Sequence, residues 1–184
     1  MKPRVIGLDL SLTGTGIADF AHDGQVITKT IRSTPYGNTV DSQNARLRHI
    51  GREVTEFIAF MGPHPALVVV EGPSYGSKGA GTWDRAGLWW LVVDRILSQP
   101  NWPLAVVPPA VLKKYATGRG NADKTAMAVA VQKRWGVELG DDNKVDAWWL
   151  GAMGREHLGL PFVDLPKAQR EALAKVAWPE VAPC

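Results

Sequence analysis

The first 32 residues constrain the fold of this chain more than any other segment. Residues 4–10 form an apolar run that predicts a buried strand, and residues 16–21 and 25–32 predict two more strands around His22-Asp23-Gly24. An Asp-Gly pair between apolar runs is a strong signal for a β-hairpin. We therefore expect three consecutive strands at the start of the chain, antiparallel to one another.

After this opening, helical and strand-like segments alternate. Residues 41–61 have apolar side chains at helical spacing, and residues 66–71 form a β-branched run that predicts a central strand. A helix from about 82 to 98 and a strand over 104–108 follow. Further helices are predicted over 110–116, 123–135, 142–157 and 166–177. This order predicts one α/β domain over residues 1–184, with a mixed five-stranded sheet flanked by helices and a short helical tail over about 160–184.

Composition excludes several classes of protein. The chain has 184 residues, 45% of them hydrophobic and 21% charged, which is enough to bury a core. No apolar run approaches the ~20 residues that span a bilayer, and the first residues lack a signal-peptide core, so we expect a cytoplasmic protein without membrane contact. Cys184 is the only cysteine, which excludes an internal disulfide and a thiolate zinc site and leaves its own role open.

Charge is unevenly distributed along the chain. The formal net charge is +3, with a pI of about 9.1. Residues 113–134 hold six basic side chains against one acid, and residues 29–52 hold five against one, whereas residues 135–184 carry eight acids against five bases. A polyanion that binds beside such carboxylates needs cations between them. The pattern favours a nucleic-acid partner.

Three carboxylates interrupt apolar segments. Asp9 lies within the first strand, Glu71 ends the strand Val68-Val69-Val70, and Asp146 precedes Ala147-Trp148-Trp149 on a helix. For any one of them, a helix cap, a salt bridge or a strand end is an equally good interpretation. Together, from two strand ends and one helix, they predict a cluster that repels itself unless a hard divalent cation binds, Mg²⁺ or Mn²⁺. Two such ions form the usual clamp for attack on a phosphodiester.

Other polar residues precede Asp146 on its helix. Asp142 lies at i−4 and Asn143 at i−3, so either side chain shares a face with Asp146 and is a candidate fourth ligand. Capping of the helix N-terminus is the competing interpretation for Asp141 and Asp142.

Four segments form a pattern along the chain: Val5-Ile-Gly-Leu-Asp9 with Thr13-Gly-Thr-Gly-Ile17, Val68-Val-Val-Glu71, the stretch from Pro109 to Lys124 with Lys113 and Gly118-Arg-Gly120, and Asp142-Asn-Lys-Val-Asp146. In their order and spacing they resemble the RuvC-type Holliday junction resolvases. The resemblance spans roughly residues 4–155.

The resemblance implies a ribonuclease H-like fold, a homodimer and metal-dependent paired nicking of four-way DNA junctions. It carries Asp9, Glu71 and Asp146 onto the acidic positions of the family, and Lys113 and Lys124 onto its basic positions near the scissile phosphate. There are two departures. Leu10-Ser11 replaces the usual Pro-Gly after the first Asp, and Asn143 stands where an acid or His is usual, so Asp142 is an alternative fourth ligand. The short, diverged form is typical of a phage or prophage member.

Further candidate contacts to DNA surround these positions. Lys124 begins a helix beside a glycine-rich loop, where backbone and helix N-terminus favour phosphate. Lys114 and Arg119 are candidate backbone contacts. Tyr75 and Lys78 lie in the loop after Glu71, where an aromatic ring can stack on an unpaired base. A solvated surface side chain is the alternative for the basic residues, and an ordinary packed tyrosine for Tyr75.

The eight tryptophans include two adjacent pairs, Trp89-Trp90 and Trp148-Trp149. Neighbours on a helix point about 100° apart, so we expect one member of each pair in the core and the other half-exposed. For the helix 82–98 the alternative is a dimer interface, which the resemblance supports.

Other functions remain in competition. An actin-like ATPase needs two lobes, which 184 residues cannot supply. A catalytically silent junction-binding protein would not need all three carboxylates. A ribonuclease H-fold nuclease acting on another nucleic acid, such as an RNA–DNA hybrid, is not excluded by the acidic positions alone.

Overall fold

The computed structural model describes residues 2–73 and 81–181. Three residues that the sequence singles out, Tyr75, Lys78 and Cys184, lie outside these ranges.

Five strands form one mixed sheet. They are β1 (Val5–Asp9), β2 (Gly14–Phe20), β3 (Val26–Arg32), β4 (Leu67–Glu71) and β5 (Leu104–Val107), in the order β3-β2-β1-β4-β5. The first three strands are antiparallel neighbours, whereas β1, β4 and β5 run parallel to one another. The predicted hairpin and the mixed five-stranded sheet are confirmed.

Helices connect and cover the strands. They are α1 (Val40–Phe60), α2 (Thr82–Leu97), α3 (Pro109–Thr117), α4 (Lys124–Trp135), α5 (Asp142–His157) and α6 (Lys167–Arg170), followed by a 3₁₀ helix over Glu171–Lys175. The helix predicted over 166–177 is therefore shorter than expected and tightens into a 3₁₀ turn. Within residues 2–73 and 81–181, none of the helices has the length and apolar character needed to cross a lipid bilayer.

Both faces of the sheet are buried, so its core has two halves. Side chains alternate between the faces along each strand. Ile6, Leu8, Val68 and Val70 belong to the half that contains residues of α1 and α2. Val5, Leu67 and Val69 belong to the half that contains residues of α3, α4 and α5. The inner strands β1 and β4 therefore read as nearly continuous apolar runs, as expected for strands covered on both sides, whereas the edge strand β3 is largely half-exposed.

Helix α5 lies in the middle of its layer, and this corrects the expectation for one tryptophan pair. Trp148 and Trp149 are both fully buried, with ring centroids 4.9 Å apart. Trp148 packs on Phe20 and Trp149 on Tyr115. The prediction of one half-exposed member assumed a helix buried on one side only. For the other pair only the asymmetry is as expected: Trp89 is half-buried against the core, and Trp90 is 66% exposed.

Glycines in the first two strands allow α5 to lie directly on the sheet. A Cβ atom on Gly7 would come within 1.9 Å of the carbonyl oxygen of Ala147, and one on Gly16 within 2.0 Å of that of Asn143. A larger residue at either position would force the helix away from the strands. The N-terminal half of α5, with Asp146, is thereby held against the end of β1.

Candidate active site

Asp9 and Glu71 are brought together by strand register. Strands β1 and β4 are parallel neighbours, and Leu8 pairs with Val70. Asp9 and Glu71 are the next residue of each strand, so they lie side by side at the same edge of the sheet, on strands spaced about 4.8 Å apart. Both side chains are half-buried.

Alternation along the strands turns both carboxylates toward α5. Asp9 lies on the same face as Gly7, where the backbone of α5 makes its closest approach. Glu71 shares a face with Leu67 and Val69, which belong to the core half that includes α5. Asp146 lies in the second turn of that helix, one residue before Ala147. Three elements thus converge on one carboxylate cluster.

The electrostatics show that these carboxylates interact. Burial is the largest cause that raises the pKa of Asp9 well above its usual value, and the charges of Glu71 and Asp146 add to it. Burial and then the charge of Asp146 raise the pKa of Glu71 to about 7. Burial also raises the pKa of Asp146 to about 6. Without a cation, the cluster holds protons near neutral pH.

Two lysines oppose this effect. The charge of Lys113, near the end of α3, lowers the pKa values of Glu71 and Asp146, and that of Lys124 lowers those of Asp9 and Asp146. The Nζ atom of Lys124 also lies 3.1 Å from a carboxylate oxygen of Asp142. Both predicted basic positions therefore lie within electrostatic range of the acidic cluster.

The position of Lys124 follows from a helix cap. Asp123 is the N-cap of α4, and its side chain accepts a hydrogen bond of 2.8 Å from the amide of Ala126. This fixes the first helical residue, Lys124, at the N-terminus of the helix, where backbone N–H groups favour anions. The side chain is 74% exposed, so that a phosphate can approach it beside Asp142.

Asp141 caps the N-terminus of α5, a role for which the sequence offered both Asp141 and Asp142. It accepts hydrogen bonds from the amide of Asn143 at 2.9 Å and from its side-chain Nδ2 at 3.0 Å. Thr30 donates to it at 3.0 Å, and Arg32 pairs with it at 3.1 Å. These hydrogen bonds outweigh its burial and lower its pKa, so Asp141 is a structural carboxylate.

Asp142 and Asn143 differ in how freely they can act. Asp142 is half-exposed and faces Lys124, whereas the side-chain amide of Asn143 is held by Asp141. The backbone of Asn143 is also wedged against Gly16. Asp142 is the more accessible oxygen donor of the two.

The donor set of the cluster suits a hard divalent cation. Its ligating atoms are carboxylate oxygens, which Mg²⁺ and Mn²⁺ prefer, and its pKa values, raised first by burial and then by mutual repulsion, express a cost that such a cation offsets. In residues 2–73 and 81–181, no three Asp, Glu, His or Cys side chains are already gathered around one ion position. For all three carboxylates to hold one ion, their side chains would have to rotate toward it.

The remaining sequence candidates lie around this cluster or elsewhere. Lys114 is half-buried in the last turn of α3. Arg119 is exposed in the following loop and lines a groove with Thr117, Lys133 and Arg134, which is not the carboxylate cluster.

One contact at the site could not be predicted from the sequence. The indole Nε1 of Trp89, on α2, donates a hydrogen bond of 2.9 Å to the backbone carbonyl of Glu71. It ties the end of β4 to a helix from the opposite layer and so fixes the backbone from which the carboxylate projects. Sequence patterns assign Trp89 only to a helix face, because the partner is a main-chain atom.

Comparisons with known proteins bear on the fold. No protein-family model matches the sequence, and no curated protein sequence matches it. A solved structure of RuvC from Thermus thermophilus is similar, at 18% identity and a TM-score of 0.63, over 85% of this chain and 97% of that one. Thermus thermophilus RuvC in complex with Holliday junction substrate is similar at 19% identity and a TM-score of 0.66, over 81% and 90%. The chain therefore has the ribonuclease H-like fold that it shares with RuvC.

Proposed function

We propose that this protein is a divalent-metal-dependent endonuclease that cuts branched DNA, above all four-way junctions. The observation that carries the proposal is the cluster of Asp9, Glu71 and Asp146 at one sheet edge, flanked by Lys113 and Lys124. Its fold relative from Thermus thermophilus was solved with a Holliday junction substrate. The four sequence segments that resemble the resolvase family contain all five of these residues.

Asp9, Glu71 and Asp146 would hold Mg²⁺ or Mn²⁺, two ions at each site, with Asp142 as the preferred fourth ligand and Asn143 as the alternative. When bound, the ions would polarise the scissile phosphodiester and make water a nucleophile near neutral pH. Asp142 is preferred because its carboxylate is accessible, whereas Asn143 is engaged with Asp141.

The two lysines would position the scissile phosphate. Lys124 lies at a helix N-terminus, and its ion pair with Asp142 is an exposed contact that a phosphate can replace. Lys113 approaches the cluster from α3 and acts on Glu71 and Asp146. Held on both sides, the phosphodiester would be oriented for in-line attack. Lys114 and Arg119 would add contacts to the DNA backbone, and Tyr75 and Lys78 remain predicted contacts in the loop after Glu71.

The proposed active form is a homodimer joined through α2. Trp83, Trp90 and Leu97 recur every seven residues on this helix and are 90%, 66% and 61% exposed. Residues with this spacing share one helix face. An exposed stripe of two tryptophans and a leucine has the composition of an interface core. A second copy would cover it and would supply the second active site for paired nicks.

The experiment compares binding and cleavage in one variant. Glu71→Gln preserves the shape of the side chain but removes its charge, so we expect it to bind a labelled four-way junction as the unmodified protein does and to lose at least about 100-fold in nicking rate with Mn²⁺, because removing a key electrostatic group typically costs this much or more. Glu138→Gln, an exposed acid outside the cluster, is the matched control and should nick normally. Normal nicking by Glu71→Gln would refute the assignment of the site.

A further inference from the structure

The basic segment 29–52 divides into two groups in the folded protein. Three of its five cations hold the fold together: Lys29 lies over the ring of Phe57, Arg32 pairs with Asp141, and Arg46 donates to Ser33 and to the carbonyl of Leu12. Of the other two, Arg52 contacts its helix neighbours Glu56 and His49, and Arg48 has no ion pair among the described residues.

Arg48 and Arg52 line a groove on the outer side of α1. Arg95, from α2, completes it. The lining residues are Asp41, Asn44, Ala45, Arg48, His49, Arg52 and Arg95. Three arginines against one aspartate give the groove a formal charge of +2 when His49 is neutral.

This positive charge is only weakly neutralised. Arg52 lies 3.7 Å from Glu56, but both side chains are more than half exposed, and such a pair on one helix contributes little. In residues 2–73 and 81–181, Arg48 and Arg95 have no carboxylate within ion-pair distance. The groove therefore keeps guanidinium groups that are available to an external anion.

Helix packing holds Arg95 in place at the groove. A Cβ atom on Gly51 would lie 3.1 Å from its Cδ atom and 3.2 Å from its Nε atom. The absence of a side chain at Gly51 lets the stem of Arg95 lie across α1 and brings its guanidinium to the side of Arg52. A side chain fixed by packing loses less conformational entropy on binding a ligand.

The groove begins at the same edge of the sheet as the carboxylate cluster. β3 runs parallel to β1, ends at Arg32 and contacts Asp141 there, and α1 starts eight residues later. Residues 41–52 extend about 16 Å along the helix at about 1.5 Å per residue, which matches about five nucleotides of a DNA strand. A DNA arm that leaves the cluster across this edge can follow the groove.

We propose that this arginine groove is a second phosphate-binding surface, which holds the backbone of a duplex arm of the DNA substrate. The inference rests on the proposed function, since it takes branched DNA as the ligand. Guanidinium groups bind phosphate oxygens through two parallel hydrogen bonds, which suits a fixed row of arginines. Contacts of this kind add affinity and orientation without reading sequence.

The test is the salt dependence of junction binding without divalent metal. Each arginine that neutralises one phosphate contributes about 0.9 to the slope of log K against log salt concentration. We expect the double variant Arg48→Gln/Arg95→Gln to reduce the magnitude of this negative slope by about 1.8 and to weaken binding about tenfold at low salt. Lys167→Gln/Lys175→Gln removes the same charge from the exposed C-terminal segment and should leave both values unchanged. Light scattering measures the mass of each variant and so detects any change in association between protein chains.

Each other outcome overturns the inference in a recognisable way. An unchanged slope in the arginine variant, or an equal fall in both variants, shows that the groove does not contact phosphate, while the proposed nuclease stands if the unmodified protein cuts junctions. A change of mass in the arginine variant assigns the groove to a contact between protein chains. If the unmodified protein neither binds nor cuts branched DNA, the proposed function fails and the groove proposal fails with it.

Discussion

At the scale of single residues, two aspartates on neighbouring strands show how environment separates a structural carboxylate from one in the proposed metal site. Asp19 is 1% exposed and accepts hydrogen bonds from Arg4 at 2.7 to 3.2 Å. Asp9 is surrounded instead by Glu71 and Asp146. A paired buried charge stabilises its partner, whereas a carboxylate among carboxylates is costly without a cation. The two residues should therefore respond in opposite ways to loss of charge.

Asp9→Asn should stabilise the metal-free protein at pH 7.5 and abolish nicking. Removing the charge relieves repulsion within the cluster, and we expect Tm to rise by about 2–4 °C for each kcal/mol gained. Asp19→Asn should have the reverse effect on stability, with a loss of about 3–5 kcal/mol, because Arg4 is left unpaired. Thermal unfolding in EDTA measures both. A destabilised Asp9→Asn would contradict the repulsion that the metal is expected to relieve.

Stability of the metal-free protein should fall as pH rises. Glu71 has an ordinary pKa of 4.5 and a folded-state pKa of about 7, so between these values the folded chain holds protons that the unfolded chain has lost. Asp146 lowers stability in the same way between pH 3.8, its ordinary pKa, and about pH 6, its pKa in the folded chain. By linkage, each proton held only by the folded chain makes the free energy of unfolding decrease with pH in this window.

Added Mn²⁺ should reverse this trend, because it binds the deprotonated carboxylates of the folded chain. The measurement is Tm from pH 5 to 8 with EDTA and with Mn²⁺, and Asp9→Asn is the control in which both effects should shrink. An increase in Tm with ion that is the same at pH 5 as at pH 8 would contradict the account.

Sequence alone identifies the three acids because charges interrupt apolar runs at those positions. It cannot separate Asp141 from Asp142, since both precede the helix and both can cap it. The choice depends on Thr30 and Arg32, which come from a strand more than 100 residues away. The hydrogen bond from Trp89 to Glu71 cannot be predicted from the sequence either, because its acceptor is a backbone carbonyl.

At the scale of elements, the site depends on how closely α5 lies on β1 and β2. The strand and helix order was predictable from periodicity and turn residues. The depth at which α5 is buried was not, since a local pattern does not show that α3 and α4 cover its outer side. The burial of both Trp148 and Trp149 was therefore not predicted from the sequence.

Gly16→Ala tests this close approach. The added methyl group would overlap the carbonyl of Asn143, so α5 has to move and carry Asp146 away from Asp9. We expect a loss of about 1–3 kcal/mol in stability, as for other overpacked positions, and a larger relative loss of nicking. Among the described residues, the added methyl group of Gly87→Ala in α2 meets only the flexible end of Leu47 at 3.3 Å, so this variant should be neutral or stabilising. If the two variants behave alike in both assays, close packing of α5 is not what forms the site.

At the scale of the whole molecule, the two layers have different roles. The layer of α3, α4 and α5 supplies Lys113, Lys124 and Asp146, whereas the layer of α1 and α2 leaves an apolar stripe and an arginine groove exposed on its outer side. Paired nicking would need two active sites, and the dimer proposed through the stripe on α2 would supply the second.

Trp90→Glu/Leu97→Glu should convert the dimer to a monomer. Two carboxylates at the centre of an apolar interface would be buried without partners, which costs several kcal/mol of association free energy. Light scattering at micromolar concentration measures the mass, and Phe60→Glu, an 88% exposed aromatic outside the stripe, is the control that should leave the dimer intact. A monomeric unmodified protein, or a dimer that survives the double substitution, would remove α2 as the interface.

Cleavage of branched DNA by the carboxylate cluster with a divalent ion can be measured by incubating the unmodified protein with a labelled four-way junction and a matched linear duplex, each with Mg²⁺, with Mn²⁺ and with EDTA. We expect symmetric nicks near the branch point of the junction, with either ion or both, and none in the linear duplex or in EDTA. Binding to the junction without cleavage under both ions, or equal cutting of the linear duplex, would overturn the proposed function.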